Sequence, residues 1–118
     1  MKKYNVGIVG YGWVATAHIP AINASSLAQV TAICSSRKLD PAELSARHGG
    51  QIRVYRDVDA MLADPKIHAV SLCSFPAQHA PQTIRAAKAG KHLIIEKPLC
   101  LTPKDLAAMR AAVKAAGV

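Results

Sequence analysis

Val6-Gly7-Ile8-Val9-Gly10-Tyr11-Gly12-Trp13-Val14-Ala15 decides how the remaining residues are read. A run of apolar and β-branched residues leads into Gly10-x-Gly12-x-x-Ala15, and a helical pattern follows at once. A dinucleotide-binding strand-turn-helix unit needs that order. Gly10 allows the tight turn after the strand, and Gly12 lets backbone approach a pyrophosphate with no Cβ in the way. Ala15 stands where a small residue lets the helix pack on the strand. The amides near Trp13 and Val14 open the helix as unpaired donors at the positive end of its dipole, suited to phosphate. A Gly-x-Gly-x-x-Ala motif alone also fits a plain structural turn; its place between strand and helix favours a cofactor.

Outward from that unit the pattern repeats. Tyr4 to Val9 reads as a first strand, with its helix from Trp13 to about Ala24, and Ala28 to Cys34 as a second strand, apolar almost throughout and suited to burial on both faces. Asp40-Pro41-x-Glu43 caps a helix that Gly49-Gly50 stops. Ile52 to Tyr55 is a short strand near an edge, and Asp57 caps a short helix ending at Asp64-Pro65. Ile67 to Cys73 is the fourth strand, Ala77 to Ala89 a helix closed by Gly90, and His92 to Ile95 the fifth strand. Thr102-Pro103-x-Asp105 caps a last helix whose buried stripe is Leu106, Met109 and Val113. Strands alternating with helices imply an α/β, Rossmann-type doubly wound parallel sheet with right-handed crossovers, order 3-2-1-4-5. The ligand crevice then lies at the carboxyl ends of strands one and four.

The 118 residues allow one domain with an aliphatic core, since 51% are hydrophobic and only 4% aromatic. A complete fold of this type usually has a sixth strand, which these residues do not reach, so residues 1–118 are expected to be one part of a larger two-domain protein. No apolar run is long enough to span a membrane. Cys34, Cys73 and Cys100 are odd in number and form no CxxC pair, which suits reduced thiols in a cytoplasmic protein. The five histidines show no metal-ligand spacing, and no metal is expected. A net charge of +8 invites a nucleic-acid reading. The basic residues are scattered and few aromatics interleave with them, so a phosphate-bearing cofactor or an acidic partner accounts for the charge more simply.

Three stretches carry chemistry. A chain preferring NAD usually places an acid after the second strand to bind the ribose hydroxyls. Here Ser35-Ser36-Arg37-Lys38 stands there, with no acid before Asp40. Small hydroxyls beside a guanidinium fork suit a 2′-phosphate, so NADP is favoured, with NAD as the alternative. Next, Lys91-His92-Leu93-Ile94-Ile95-Glu96-Lys97-Pro98 ends an apolar strand in acid, base and turn at the carboxyl edge. A lysine held there among apolar neighbours can exchange a proton with a substrate hydroxyl or carbonyl, though a surface salt bridge is equally open. Pro98 keeps Lys97 out of the α region. Its peptide bond is open to either isomer: X-Pro bonds are cis in about 5–6% of cases, but the sharp turn toward Thr102 suits the shorter cis step. Finally, Cys73-Ser74-Phe75 lies across the switch point from the glycine loop and can line the cofactor. His79 is open to two roles, a hydrogen bond near a nicotinamide or a satisfied helix-start histidine.

Together, Val6-Gly7-Ile8-Val9-Gly10-Tyr11-Gly12-x-x-Ala15, the Ala69–Ser74 strand with His79 five residues on, and Ala89-Gly90-Lys91-His92-x-x-x-Glu96-Lys97-Pro98 resemble the glucose–fructose oxidoreductase/inositol dehydrogenase (Gfo/Idh/MocA) family over essentially the whole chain. The resemblance implies an NAD(P)-dependent oxidoreductase acting on a sugar, cyclitol or related alcohol. It also implies a pyrophosphate held by Gly10, Gly12 and the Trp13-Val14 amides, Glu96 near the nicotinamide ribose, and Lys97 between nicotinamide and substrate as the catalytic candidate. Two departures stand out. Ser74-Phe75-Pro76 replaces the family's usual Thr-Pro-Asn, and the family's second, substrate-binding domain is absent. These 118 residues alone are therefore expected to bind cofactor without turnover and to form homo-oligomers through exposed apolar surface. A non-catalytic dinucleotide-sensing module is the alternative.

Overall fold

A computed structural model describes residues 2–118. Its elements alternate: β1 (Tyr4–Val9), α1 (Ala15–Asn23), β2 (Ala28–Cys34), α2 (Pro41–His48), β3 (Arg53–Tyr55), α3 (Val58–Leu62), β4 (Ala69–Leu72), α4 (Pro76–Lys88), β5 (His92–Ile95) and α5 (Pro103–Ala116). The five strands form one parallel sheet in the order β3-β2-β1-β4-β5, as the alternating pattern implies. Winding therefore reverses between β1 and β4.

Alternation in the inner strands, shifted by one residue at Thr31 of β2 where the register with β1 slips, feeds two cores. Val9, Ala32, Cys34, Val70 and Leu72 face Met61, Leu62 and Ala86 of α3 and α4. Ile8, Val30 and Ile33 face Ala15, Ile19 and Leu44 of α1 and α2. Burying both faces is why the strands read as near-continuous apolar runs. Gly7, inside β1, is demanded by packing, because a Cβ there would stand 2.7 Å from Met61 Sδ.

The strand expected over Ile67 to Cys73 is shorter, since Asp64-Pro65-Lys66 still turns at Ile67, whose amide bonds to the Asp64 carbonyl at 3.2 Å. The helix expected from Trp13 begins at Ala15 instead, with Val14 as its cap. Asp40, Asp57 and Thr102 cap α2, α3 and α5 with their side chains, accepting from Ala42, Asp59 and Asp105 amides. By contrast α1 and α4, whose N-cap residues are Val14 and Phe75, receive no side-chain cap. These two helices start beside the switch point. In α5 the expected stripe is fully buried only at Met109, while Leu106 and Val113 are half-buried. The Lys97–Pro98 peptide is cis.

Lys91 is only 6% exposed, although it carries a charge at the start of β5. Its Nζ donates to the Asp64 and Ile67 carbonyl oxygens at 2.8 and 2.7 Å, stitching the α3–β4 turn to β5. Burial pushes its ammonium below the usual lysine range, against the opposing pull of Asp64. Lys91→Met keeps the stem's volume but leaves both carbonyls without a donor. It is expected to lower unfolding free energy by about 2–3 kcal/mol, since hydrogen bonds to charged groups contribute about 1.5–3 kcal/mol each and water recovers part of the loss. Urea unfolding followed by circular dichroism measures it.

Candidate functional site

Three chain segments leave the sheet side by side at its carboxyl edge. Gly10 follows β1 with φ +89° and donates its amide to the Cys34 carbonyl of β2 at 2.9 Å. On its other side a Cβ would lie 2.9 Å from the Ser74 amide nitrogen and 3.0 Å from the Cys73 carbonyl carbon. Only glycine fits between those two strand ends. Gly12 is the opposite case: a Cβ there meets nothing within 4 Å, because its surroundings are open.

That open space is the end of a groove of about 750 Å³. Gly10, Gly12, Ser35, Ser36, Arg37, Cys73, Ser74 and Phe75 all line it, so the structure brings together eight of the residues singled out by sequence. Trp13 and Val14 stand beside it at the start of α1, Trp13 87% exposed. A second recess of about 650 Å³ opens at the amino ends of the strands, among Lys3, Asn5, Gln29, Arg53 and Lys66. It contains none of the motif residues.

At the end of β2, Ser35 is buried; its Oγ accepts from the Arg37 amide at 3.1 Å, and its own amide donates to the Tyr55 carbonyl at 3.0 Å. The Arg37 guanidinium lies 6.0 Å above the Tyr11 ring and donates through Nη2 to the Tyr11 carbonyl. Arg56 joins it, lining the same groove and donating through Nη2 to the Ser36 carbonyl at 3.2 Å. Arg56 escaped the sequence reading. Its signal is the register: Cys34 pairs with Tyr55, so the next residue of each strand arrives at the same place. Among the described residues lining this groove there is no Asp or Glu.

Glu96 and Lys97 follow β5, on the far side of β4, and do not line the groove. Glu96 Oε2 lies 2.7 Å from His18 Nε2, and Oε1 accepts from the Lys97 amide at 3.1 Å. The His18 hydrogen bond, followed by that of the Lys97 amide, holds the Glu96 carboxyl below the usual range. His18 and Ser71 are the partners that sequence reasoning missed. The expected enclosure of Lys97 among apolar neighbours is corrected, since its residue is exposed at the end of the strand. His79 is fully buried with Nδ1 2.8 Å from the Pro98 carbonyl and Nε2 2.9 Å from the Ser74 carbonyl. Both nitrogens face backbone carbonyl oxygens, of which a neutral ring donates to one, and the ring stands between the loop after β4 and the loop after β5.

Cys34 is buried and Cys73 half-buried, and both thiols are shifted the same way. Burial, with the Asp57 charge, pushes the Cys34 thiol up to about 11. Burial likewise raises Cys73, with a hydrogen bond from Ser71 opposing and the Glu96 charge adding to it. Among the described residues no helix is long and apolar enough to cross a membrane.

A doubly wound parallel sheet with a glycine turn at its switch point and two helix starts facing it defines a Rossmann-type nucleotide-binding domain. Comparison with known proteins narrows this. The family model for the Gfo/Idh/MocA oxidoreductase family, NAD-binding Rossmann fold, matches residues 4–118, and the chain belongs to that family. Levoglucosan dehydrogenase of Pseudarthrobacter phenanthrenivorans is 34% identical over 97% of this chain and 31% of its own. Myo-inositol 2-dehydrogenase of Thermotoga maritima is 32% identical over 96% of this chain and 34% of its own. A 3-ketoreductase of Actinomadura kijaniata, solved in complex with NADP and TDP-benzene, superposes with a TM-score of 0.88 at 30% identity, covering 99% of this chain and 36% of that one. The chain thus spans about a third of the length of these relatives.

Proposed function

We propose that this chain is the cofactor-binding domain of a nicotinamide-dependent oxidoreductase that takes NADP in preference to NAD and, with the rest of its protein, acts on a sugar, cyclitol or related alcohol. One observation carries the cofactor choice: the end of the groove beyond β2 is walled by Ser35, Ser36, Arg37 and Arg56, with no carboxylate among its described lining residues. The open space over Gly12 and the uncapped start of α1 fit a pyrophosphate, which needs backbone donors and no Cβ. The bound cofactor would supply the hydride acceptor or donor. Gly10, Gly12 and the amides of Trp13 and Val14 would hold its diphosphate, the two arginines its 2′-phosphate, and Cys73, Ser74 and Phe75 the opposite wall. Glu96 would face the nicotinamide ribose, and exposed Lys97 would orient the substrate oxygen or pass its proton.

The substrate class follows the relatives named as levoglucosan and inositol dehydrogenases. With most of the substrate pocket expected outside these residues, they would bind cofactor without turnover. Ile94, Leu99 and Leu101 are 49%, 45% and 60% exposed, an apolar edge suited to a second copy or to the remaining domain. Free Cys34, Cys73 and Cys100 suit a reducing cytoplasm. The test is a fluorescence titration, because the sole tryptophan, Trp13, stands exposed at the diphosphate position. NADPH is expected to quench it at several-fold lower concentration than NADH. Equal affinities would remove the NADP preference, and no binding of either would remove the cofactor role.

A further inference from the structure

Acid, imidazole and hydroxyl stand in line at the rim of the sheet. His18 Nε2 lies 2.7 Å from Glu96 Oε2, and His18 Nδ1 lies 2.9 Å from Ser71 Oγ. The order is that of a hydrolase triad, but Ser71 is 0% exposed in the inner strand β4, so no substrate can reach its oxygen. We propose instead that His18 is a positioning residue: it fastens the Glu96 carboxylate to α1 and thereby holds the Glu96-Lys97-Pro98 segment in fixed relation to the glycine turn from which that helix springs. The cofactor consequence rests on the function proposed above; the pin itself does not.

The chemistry of the three groups makes the arrangement definite. A carboxylate only accepts, so His18 Nε2 carries the proton that lies toward Glu96. In the neutral ring Nδ1 then accepts from the Ser71 hydroxyl. When Nδ1 is protonated as well, the Ser71 oxygen accepts instead and its hydrogen turns toward Cys73 Sγ, 3.8 Å away. A rotating hydroxyl therefore satisfies the ring in either state, and the buried serine sets the plane of the imidazole.

On the other side both carboxylate oxygens of Glu96 are engaged, Oε2 by His18 and Oε1 by the Lys97 amide at 3.1 Å. The Glu96 amide itself donates to the Leu72 carbonyl of β4 at 3.0 Å. The charged or titratable groups facing this carboxylate are His18 from α1, Cys73 beyond β4 and Lys97 of its own loop. His18 is the largest cause of its lowered proton affinity. Ala15 and Ile19, both 0% exposed, anchor α1 on the sheet on either side of His18. The pin thus joins a rigid helix to a loop that otherwise ends in exposed Lys97 and Pro98.

Long-range proton–nitrogen NMR of the wild-type protein in alkaline solution reads the tautomer. The Nε2–H form is expected at His18, and the Nδ1–H form overturns the proposal even if every variant fails to fold. Carbon-detected titration of the Glu96 carboxyl gives a second readout. In H18A it is expected at higher pH than in wild type, and in H18Q, whose Nε2 can still donate, it is expected near the wild-type position. An unchanged Glu96 midpoint in folded H18A overturns the proposal, as a merely structural histidine would leave it in place. NADPH affinity is expected to fall about five- to tenfold in H18A, the weight of one lost hydrogen bond, and to recover in H18Q. If wild type binds NADPH and H18A binds it equally well, the positioning role is overturned. If wild type binds no NADPH, the cofactor reading fails while the Glu96 titration still decides the pin.

Discussion

Gly10→Ala is expected to lower the unfolding free energy by about 2–4 kcal/mol and to abolish measurable NADPH binding. Two independent costs add at this position. The backbone sits at φ +89°, where a side chain costs about 1–3 kcal/mol. The new Cβ would also stand 2.9 Å from the Ser74 amide nitrogen and 3.0 Å from the Cys73 carbonyl carbon, which are backbone atoms and cannot rotate aside. Relief requires β1 and β4 to separate at their carboxyl ends, the place where the proposed cofactor would lie. Gly12→Ala is the matched control. Its Cβ meets nothing within 4 Å, so stability is expected to change by no more than about 0.5 kcal/mol, the range of ordinary surface changes. Its cofactor affinity is nonetheless expected to fall, since the methyl occupies space a diphosphate needs. Urea unfolding of both variants separates the effects: equal stability losses would show that Gly10 is not wedged between the strands.

The contrast also shows which features could be read without coordinates. Fold and strand order were legible because a parallel sheet buried on both faces leaves apolar runs, and each run here ends in turn chemistry with its own local cause. Asp40, Asp57 and Thr102 were legible as caps because capping acts within three residues. What remained hidden was set by pairings distant in sequence. Arg56 reaches Ser36 only because β3 pairs with β2 in one register, and His18 meets Glu96 across 78 positions. His18 did leave a faint trace, a polar residue between the buried Ala15 and Ile19 of α1. The apolar surroundings expected for Lys97 failed for a related reason. The short β5 lies at the edge of the sheet, and its end is covered on one side only.

Replacing Arg37 and Arg56 together with alanine is expected to bring NADPH affinity down to that of NADH, a loss of tenfold or more, while NADH affinity changes by less than about twofold. A charge-assisted hydrogen bond contributes about 1.5–3 kcal/mol, and 1.4 kcal/mol is a factor of ten. Each guanidinium is tethered by one nitrogen, Arg37 to the Tyr11 carbonyl and Arg56 to the Ser36 carbonyl. Each therefore keeps further donors for a phosphate without the entropy cost of a free side chain. Arg37 is expected to account for most of the effect, because it also stacks on Tyr11 beside the glycine turn and is fixed from two sides. Lys104→Ala, at an exposed position in the first turn of α5, lowers the net charge by the same kind of step and is expected to leave both affinities unchanged. The NADPH preference of wild type is expected to shrink with added salt, since these contacts are partly exposed. A double variant that loses NADPH and NADH affinity in equal measure would mean that the arginines act as general positive charge. The groove beyond β2 would then offer nothing that distinguishes a 2′-phosphate from a ribose hydroxyl.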